Sequence, residues 1–222
     1  MRTSVIIDYQ NLATRGHSLF DSDLSETDRR RHIDPGNFAQ LLIEFRNKIS
    51  QTQNYLELSE VLVFRGLPDA NADPRENRSN QSEKSRWERR TDFKVTVFHR
   101  NLSYKWNELD PISGIRTRNG SDHPKFPGKT YSRREEKGID VMCAIALLRS
   151  YRNPQIDAVI LASIDADLEP ALEEAKISNP HKIIETTSWF HPTKPGGKNR
   201  IGAKLGIWNT GLPSWTFKLV LE

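Results

Sequence analysis

The sequence predicts an α/β protein with a mostly parallel sheet that is covered by helices on both faces. Two short runs, VII at 5–7 and AVILA at 158–162, are continuously apolar, as in strands buried on both sides. Between the predicted strands lie segments in which apolar residues recur at helical spacing. Strands that alternate with helices are typical of βαβ units, whose strands run parallel.

The first half of the chain supplies three strands and two helices. Three segments have the length and apolar character of strands: 3–8, 56–66 and 93–99. A polar loop at 21–37 leads into a helix that begins near Pro35, a favoured first-turn residue. Its buried face is predicted from helical spacing to contain Phe38, Leu41, Leu42 and Phe45. A second, polar helix is predicted at 73–90.

The second half begins with residues 101–131, which are rich in Pro, Gly, Ser and Asn and predict a long basic loop. We expect this loop to flank the functional crevice, to contact the substrate and to become ordered when the substrate binds. Helices and strands then alternate again, with helices at 135–151 and 167–177 and strands at 157–163, 181–187 and 214–221. We expect one domain over 1–190, with the extension 191–222 packed on it.

Charge is distributed unevenly along the chain. Lys and Arg outnumber Asp and Glu by only 33 to 29, but residues 75–105 carry nine basic against four acidic side chains. Residues 115–137 carry seven against three, and residues 191–206 four against none. Segregated positive charge favours a polyanionic partner, and solvated, Arg-rich helix faces are the alternative.

Carboxylates follow two of the predicted strands. Asp8 ends the first strand, and Asp165 and Asp167 follow the strand at 157–163. Because the carboxyl ends of parallel strands share one edge, these side chains should converge there. Each has a structural alternative: Asp8 in an Asx turn, and Asp167 as a helix N-cap. Asn11 either caps the turn after Asp8 or positions a ligand.

A further acidic pair precedes the most apolar helix. Asp140 lies among apolar residues, and Glu136 stands four positions earlier. A capping box of Ser132 and Glu135 would start this helix early, whereas Gly138 favours a later start that leaves Asp140 in the first turn. Glu136 is either part of the cluster or an exposed charge beside Lys137.

Up to five carboxylates therefore converge at one edge, and such a cluster repels itself. Hard divalent cations with oxygen ligands, Mg²⁺ or Mn²⁺, offset this repulsion. The predicted metal ligands are Asp8, Glu136, Asp140, Asp165 and Asp167. Basic segments around an acidic metal centre suit a phosphodiester substrate, whose backbone phosphates would contact Lys and Arg. The candidates for these contacts are Arg86, Arg90, Arg133, Arg134 and Lys137. Trp87 and Trp106 are candidates for stacking on bases, and burial in the core or under the long loop is their alternative.

The order of these motifs resembles the NYN domain family of the PIN-like nuclease superfamily. VIIDYQN corresponds to the family's Asp-x-x-Asn, EKGIDV to its Lys-Gly-x-Asp, and VILASIDADLEP to its Ser-x-Asp-x-Asp. Ile164 stands where the family usually has Gly. The resemblance implies a Rossmann-like fold and metal-dependent RNA cleavage by Asp8, Asp140, Asp165 and Asp167. It also implies substrate-positioning roles for Asn11, Ser163 and Lys137.

Other classes of protein fit the sequence less well. A haloacid-dehalogenase-like phosphatase needs a second Asp at position 10, where this chain has Gln10, and a Toprim-type domain would have Glu in place of Asp8. A non-catalytic RNA-binding or adaptor module with the same fold stays the alternative function. The single Cys143 and the lack of an N-terminal apolar stretch predict a cytoplasmic protein without membrane contact. RNA is the expected partner, and the oligomeric state, homodimer included, stays open.

Overall fold

The structure is a computed structural model that describes residues 1–50, 54–108, 122–123 and 126–222. Within these ranges the side chains are described for all residues except 30 and 105–133. Among these residues, no helix combines the length and apolar character that crossing a membrane requires.

A six-stranded parallel sheet forms the centre of the molecule. Its strands are β1 (Arg2–Asp8), β2 (Glu57–Leu67), β3 (Lys94–Asn101), β7 (Ala158–Ala162), β8 (Ile183–Trp189) and β9 (Trp208–Leu212). They lie in the order β3-β2-β1-β7-β8-β9, so that β1 pairs with β2 on one side and β7 on the other. Counted along this sheet, the order is 3-2-1-4-5-6, the Rossmann arrangement. The predicted α/β fold class is confirmed.

Among the described residues, six α-helices cover the sheet. They are α1 (Tyr9–Phe20), α2 (Pro35–Ile49), α3 (Pro74–Trp87), α4 (Ile139–Arg152), α5 (Glu169–Ser178) and α6 (Ser214–Leu219). The central strands direct alternate side chains into two cores. Val5 and Ile7 join the core under α1, α2 and α6, whereas Ile6 joins the core under α4 and α5. This division follows from the period-two alternation of a strand that is buried on both faces.

The prediction of a long loop at 101–131 is wrong where the structure describes it. Residues Ser103–Glu108 form β4, Asp122–His123 form β5 and Phe126–Glu135 form β6, which together make a small antiparallel sheet in the order β4-β6-β5. Residues 109–121 and 124–125 lie outside the described residues, as does the predicted contact of this segment with substrate. The end of β6 leads directly to the predicted site at Glu136.

The remaining differences from prediction lie near the two ends of the chain. The expected strand at 214–221 is the helix α6, which packs against α1 through Phe217. The strand β9 was not predicted, and it brings the 191–222 extension into the central sheet. Likewise α1 was not predicted, although Asp8 caps it and Leu12, Gly16 and Leu19 form its buried face.

Candidate carboxylate site at the switch point of the sheet

Asp8 lies at the point where the strand order reverses, between β1 and β7. Its side chain is only 5% exposed. Oδ1 accepts the Asn11 backbone N–H at 3.2 Å and caps α1, so Asp8 is a helix N-cap and not an Asx turn that leads into a loop. Oδ2 accepts the Ser163 hydroxyl at 3.2 Å. In open α/β sheets, ligands bind in the crevice outside such a switch point.

The loop after β7 is joined to Asp8 by a chain of hydrogen bonds. Ser163 Oγ also accepts the Asp165 N–H at 3.1 Å, and Asp165 Oδ1 accepts the Asp167 N–H at 3.0 Å. Asn11 Oδ1 accepts the Ile164 N–H at 3.1 Å, which ties α1 to the same loop. The family's usual Gly at position 164 is therefore not needed for this turn to form. Asp165, and not Asp167, is the N-cap of the short 3₁₀ helix that precedes α5.

Glu136 reaches the site from the end of β6. Its Oε1 accepts the Gly66 N–H at 2.7 Å, and Gly66 permits this approach because a Cβ there would collide with Glu136. The alternative of an exposed charge is wrong for this side chain. Gly138 then adopts φ 74°, which starts α4 at Ile139 and leaves the half-buried Asp140 in its first turn. The early start through Ser132 and Glu135 is wrong, because both lie in β6.

The buried thiol of Cys143 indicates how closely four of the carboxylates converge. Burial is the main cause that raises its pKa far above the usual value for a thiol. The charges of Asp8, Asp140, Glu136 and Asp165 raise it further. Four of the five predicted acidic residues thus act on one side chain at the base of the site.

The surroundings of the cluster also shift the pKa values of Asp8 and Glu136. Burial raises the pKa of Asp8 to about 6, and the charges of Glu136 and Asp165 add to the effect, against the hydrogen bonds from Asn11 and Ser163. Burial also raises the pKa of Glu136, although the Gly66 N–H and the Arg65 guanidinium oppose it. Perturbed carboxyl groups that share a cleft are typical of functional sites.

An open cleft of about 520 Å³ lies over this cluster and is lined by Asp8, Asn11, Arg15, Glu136, Asp165 and four neighbours. A second cleft of about 380 Å³ shares Gln10 and Glu136 with it and continues toward Arg65 and Arg134. The acidic centre therefore continues into a groove with basic side chains.

The other predicted site residues lie around this centre. Asp167 is exposed, and its backbone N–H, not its carboxylate, contacts the cluster. Lys137 is exposed, with Nζ 3.9 Å from Glu135 Oε2. Arg134 lines the second cleft and pairs with Glu76. The side chain of Arg133 lies outside the described residues.

The structure does not bring the two arginines predicted from α3 and its C-terminal flank to this site. Arg86 pairs with Glu222, and Arg90 pairs with Asp92 and Asp34, so both are held in ion pairs outside the two clefts. Trp87, a candidate for stacking on bases, is 1% exposed and donates to Glu222 instead. The alternative of burial is correct for Trp87, whereas the Trp106 side chain lies outside the described residues.

Sequence reasoning missed Gln10 and Arg15, which line the cleft from α1. The signal was present in the positions of Asn11 and Arg15, which are four residues apart and so share a helix face. It could be read only once residues 9–20 were recognised as a helix.

No protein-family model and no curated protein matches this chain. Among solved structures, a protein of unknown function from Vibrio parahaemolyticus is similar, with a TM-score of 0.46 and 14% identity over 96% of this chain and 91% of that one. At this level of similarity the comparison carries no functional argument.

Asp8 and Asp165, which both line the open cleft, offer oxygen donors of the kind that Mg²⁺ prefers. Among the described residues, no three His, Cys, Asp or Glu side chains are grouped closely enough to hold an ion between them. Mg²⁺ usually keeps several waters and is bound by one or two carboxylates together with substrate phosphates. Burial, and to a smaller extent the charges of Glu136 and Asp165, raises the pKa of Asp8, so a cation bound there would stabilise its ionised form.

Proposed function

We propose that this protein is a metal-dependent nuclease that hydrolyses phosphodiester bonds in RNA, single-stranded or structured. The observation that carries the proposal is the convergence of Asp8, Glu136, Asp140 and Asp165 at the switch point of the sheet, with the pKa of Asp8 raised to about 6. The resemblance of the three motifs to NYN domains supports RNA as the substrate.

In this proposal, Asp8, Asp140 and Asp165 hold one or more Mg²⁺ or Mn²⁺ ions. When bound, such a cation activates water and neutralises charge on the scissile phosphate. Ser163 and Asn11 keep Asp8 and the loop at 164–165 in position through the hydrogen bonds described above.

Glu136 has a separate role in this scheme. One oxygen, Oε1, is bound to the Gly66 N–H, and Oε2 has no hydrogen bond among the described residues. Glu136 lines the cleft, and burial raises the pKa of its carboxyl, so it is a stronger base than an exposed glutamate and Oε2 is suited to accept a proton from the attacking water. Arg134 and Lys137, on the other side of Glu136, would contact the flanking phosphates.

The alternative is a non-catalytic RNA-binding or adaptor module with the same fold. Thermal melting distinguishes the two. A nuclease centre should be stabilised by Mn²⁺ or Mg²⁺, since a ligand that binds only the folded state raises its stability. A binding module should melt at the same temperature with and without metal.

Cleavage of an end-labelled single-stranded RNA, with Mn²⁺ or with EDTA, tests the activity itself. We expect the wild type to cleave only with metal, and Asp8→Asn to lose cleavage. Asp92→Asn is a matched control, because Asp92 precedes the amino end of β3 and pairs with Arg90. Full activity of Asp8→Asn in Mn²⁺ would refute the proposal.

A further inference from the structure

Arg15 is a cation within the acidic cleft that forms no ion pair with the part of the chain that the structure describes. It lies on α1 one turn after Asn11 and lines the same cleft as Asp8 and Asp165. Its Nη2 donates to the Pro195 carbonyl at 3.1 Å, which is its only hydrogen bond to the described residues. Its Nε is buried and, within the described part of the chain, has no hydrogen-bond partner.

The other arginines of the groove differ in this respect. Arg65 pairs with the buried Glu83, and Arg134 pairs with Glu76, so the charge of each is largely balanced within the protein. Arg15 stands beside a carboxylate cluster without forming an ion pair to it. Since a guanidinium is well suited to bind phosphate oxygens in a bidentate manner, Arg15 is placed to receive an anion that enters the cleft.

The segment 191–197, which follows β8, holds Arg15 in this position. It closes on itself through the His191 N–H, which donates to the Gly197 carbonyl at 2.8 Å. Lys194 fastens it to the end of α1 by donating to the Leu19 carbonyl at 2.5 Å and to Ser22 Oγ at 2.7 Å. Gly196 adopts φ 68° and lies against the guanidinium, where a Cβ would collide with Arg15 Nη2.

We propose that Arg15, held by the 191–197 segment, binds a non-bridging oxygen of a substrate phosphate next to the scissile one. The inference rests on the proposed phosphodiester function and adds a positioning residue to it. It also gives a role to the C-terminal extension, which is basic between residues 191 and 206 and contacts Arg15 through the Pro195 carbonyl.

The salt dependence of binding tests this contact. Binding of a fluorescein-labelled single-stranded oligoribonucleotide is followed by anisotropy in Mn²⁺ between about 50 and 200 mM salt. All variants carry Asp8→Asn so that the RNA stays intact. Losing one phosphate contact on a single strand should reduce the slope of log affinity against log salt by about 0.7.

For Arg15→Gln we therefore expect binding about tenfold weaker at low salt, from the loss of a charged hydrogen bond. We also expect the fourfold rise in salt to weaken RNA binding by Arg15→Gln by a factor about 2.6 times smaller than the factor for the parent. Gly196→Ala should change both quantities in the same direction, because it displaces the guanidinium. Arg152→Gln is the matched control, since Arg152 lies twelve residues after Asp140 on α4, roughly 18 Å along the helix. It should leave the slope unchanged.

The outcomes separate the two proposals. If the parent does not bind RNA with a salt-dependent affinity, the proposed function and this inference both fail. If the parent binds and Arg15→Gln has the same slope and affinity, only the inference fails. Should Arg15→Gln not fold, Arg15→Lys is the deciding variant. It keeps the charge, and therefore the salt slope, but should bind RNA more weakly because Lys cannot form the bidentate contact. Unchanged RNA affinity of Arg15→Lys would overturn the inference.

Discussion

Replacing Asp8 with Asn should stabilise the protein while it removes activity. The pKa of Asp8 rises from 3.8 to about 6 on folding, chiefly because the side chain is buried. A difference of about 2.2 pKa units corresponds to about 3 kcal/mol, by which ionised Asp8 reduces the free energy of unfolding. Asn has a similar shape, keeps an oxygen for the Asn11 N–H and carries no charge.

The sign of the pH dependence follows from the direction of the shift. The folded state binds the Asp8 proton more tightly than the unfolded state does, so the destabilisation is absent below pH 3.8. It develops as the pH rises to about 6 and is complete above it. Between pH 4 and pH 7 the gain in stability from Asp8→Asn should therefore increase by about 2 kcal/mol.

Urea denaturation of the wild type and of Asp8→Asn in EDTA, at pH 4 and pH 7, measures this difference. Titrating groups distant from Asp8 contribute equally to both proteins and cancel when the two are compared, whereas Glu136 and Asp165, whose charges act on Asp8, belong to the measured difference. Asp92→Asn serves again as the control, because it removes a carboxylate outside the cluster. If the gain from Asp8→Asn is the same at both pH values, or if the variant is less stable at pH 7, Asp8 is not held in a repulsive, desolvated site.

Three further predictions concern the frame of the site. Arg46→Met should lower the free energy of unfolding, measured by urea denaturation, by about 3–5 kcal/mol, because it leaves Glu185 buried and unpaired. Adding Glu185→Leu should restore most of that stability. Gly138→Ala should cost about 1–2 kcal/mol, since φ 74° is strained for any residue with a Cβ, and an unchanged stability would mean that α4 does not begin there. Cys143 should react with a thiol reagent at pH 8 only after unfolding, given its burial and raised pKa, whereas rapid labelling of the native protein would contradict the described packing.

The predictable part of the fold rests on patterns local in the chain. The spacing of apolar residues indicates which faces of an element are buried. It was sufficient to predict the strands at 3–8 and 157–163 and the helix near Pro35. The meeting of Asp8 and Asp165 followed from a general property of parallel sheets and needed no knowledge of packing. Glu136 and Asp140 were predicted instead from their position at the start of the most apolar helix.

What sequence reasoning missed depends on partners distant in the chain. The strand β9, with sequence WNTGL, has Asn and Gly at two of its five positions and exists because it pairs with β8. The strand β6 contains Pro127 and Gly128 and is held by pairing with β4, more than twenty residues earlier. The ion pairs of Arg86 and Arg90 likewise depend on which acids the fold brings near them. No local pattern encodes such pairings.

The central position of β1 has a consequence for synthesis of the chain. This strand leaves the ribosome before every other strand of the sheet, yet its partner β7 ends at Ala162, 154 residues after Asp8. At translation rates of about 5–20 residues per second, one edge of an apolar strand stays uncovered for roughly 8–30 s. The Asp8–Ser163 contact cannot form in that interval, so we expect the nascent chain to depend on protection of the VII segment and to acquire its acidic centre only late in translation.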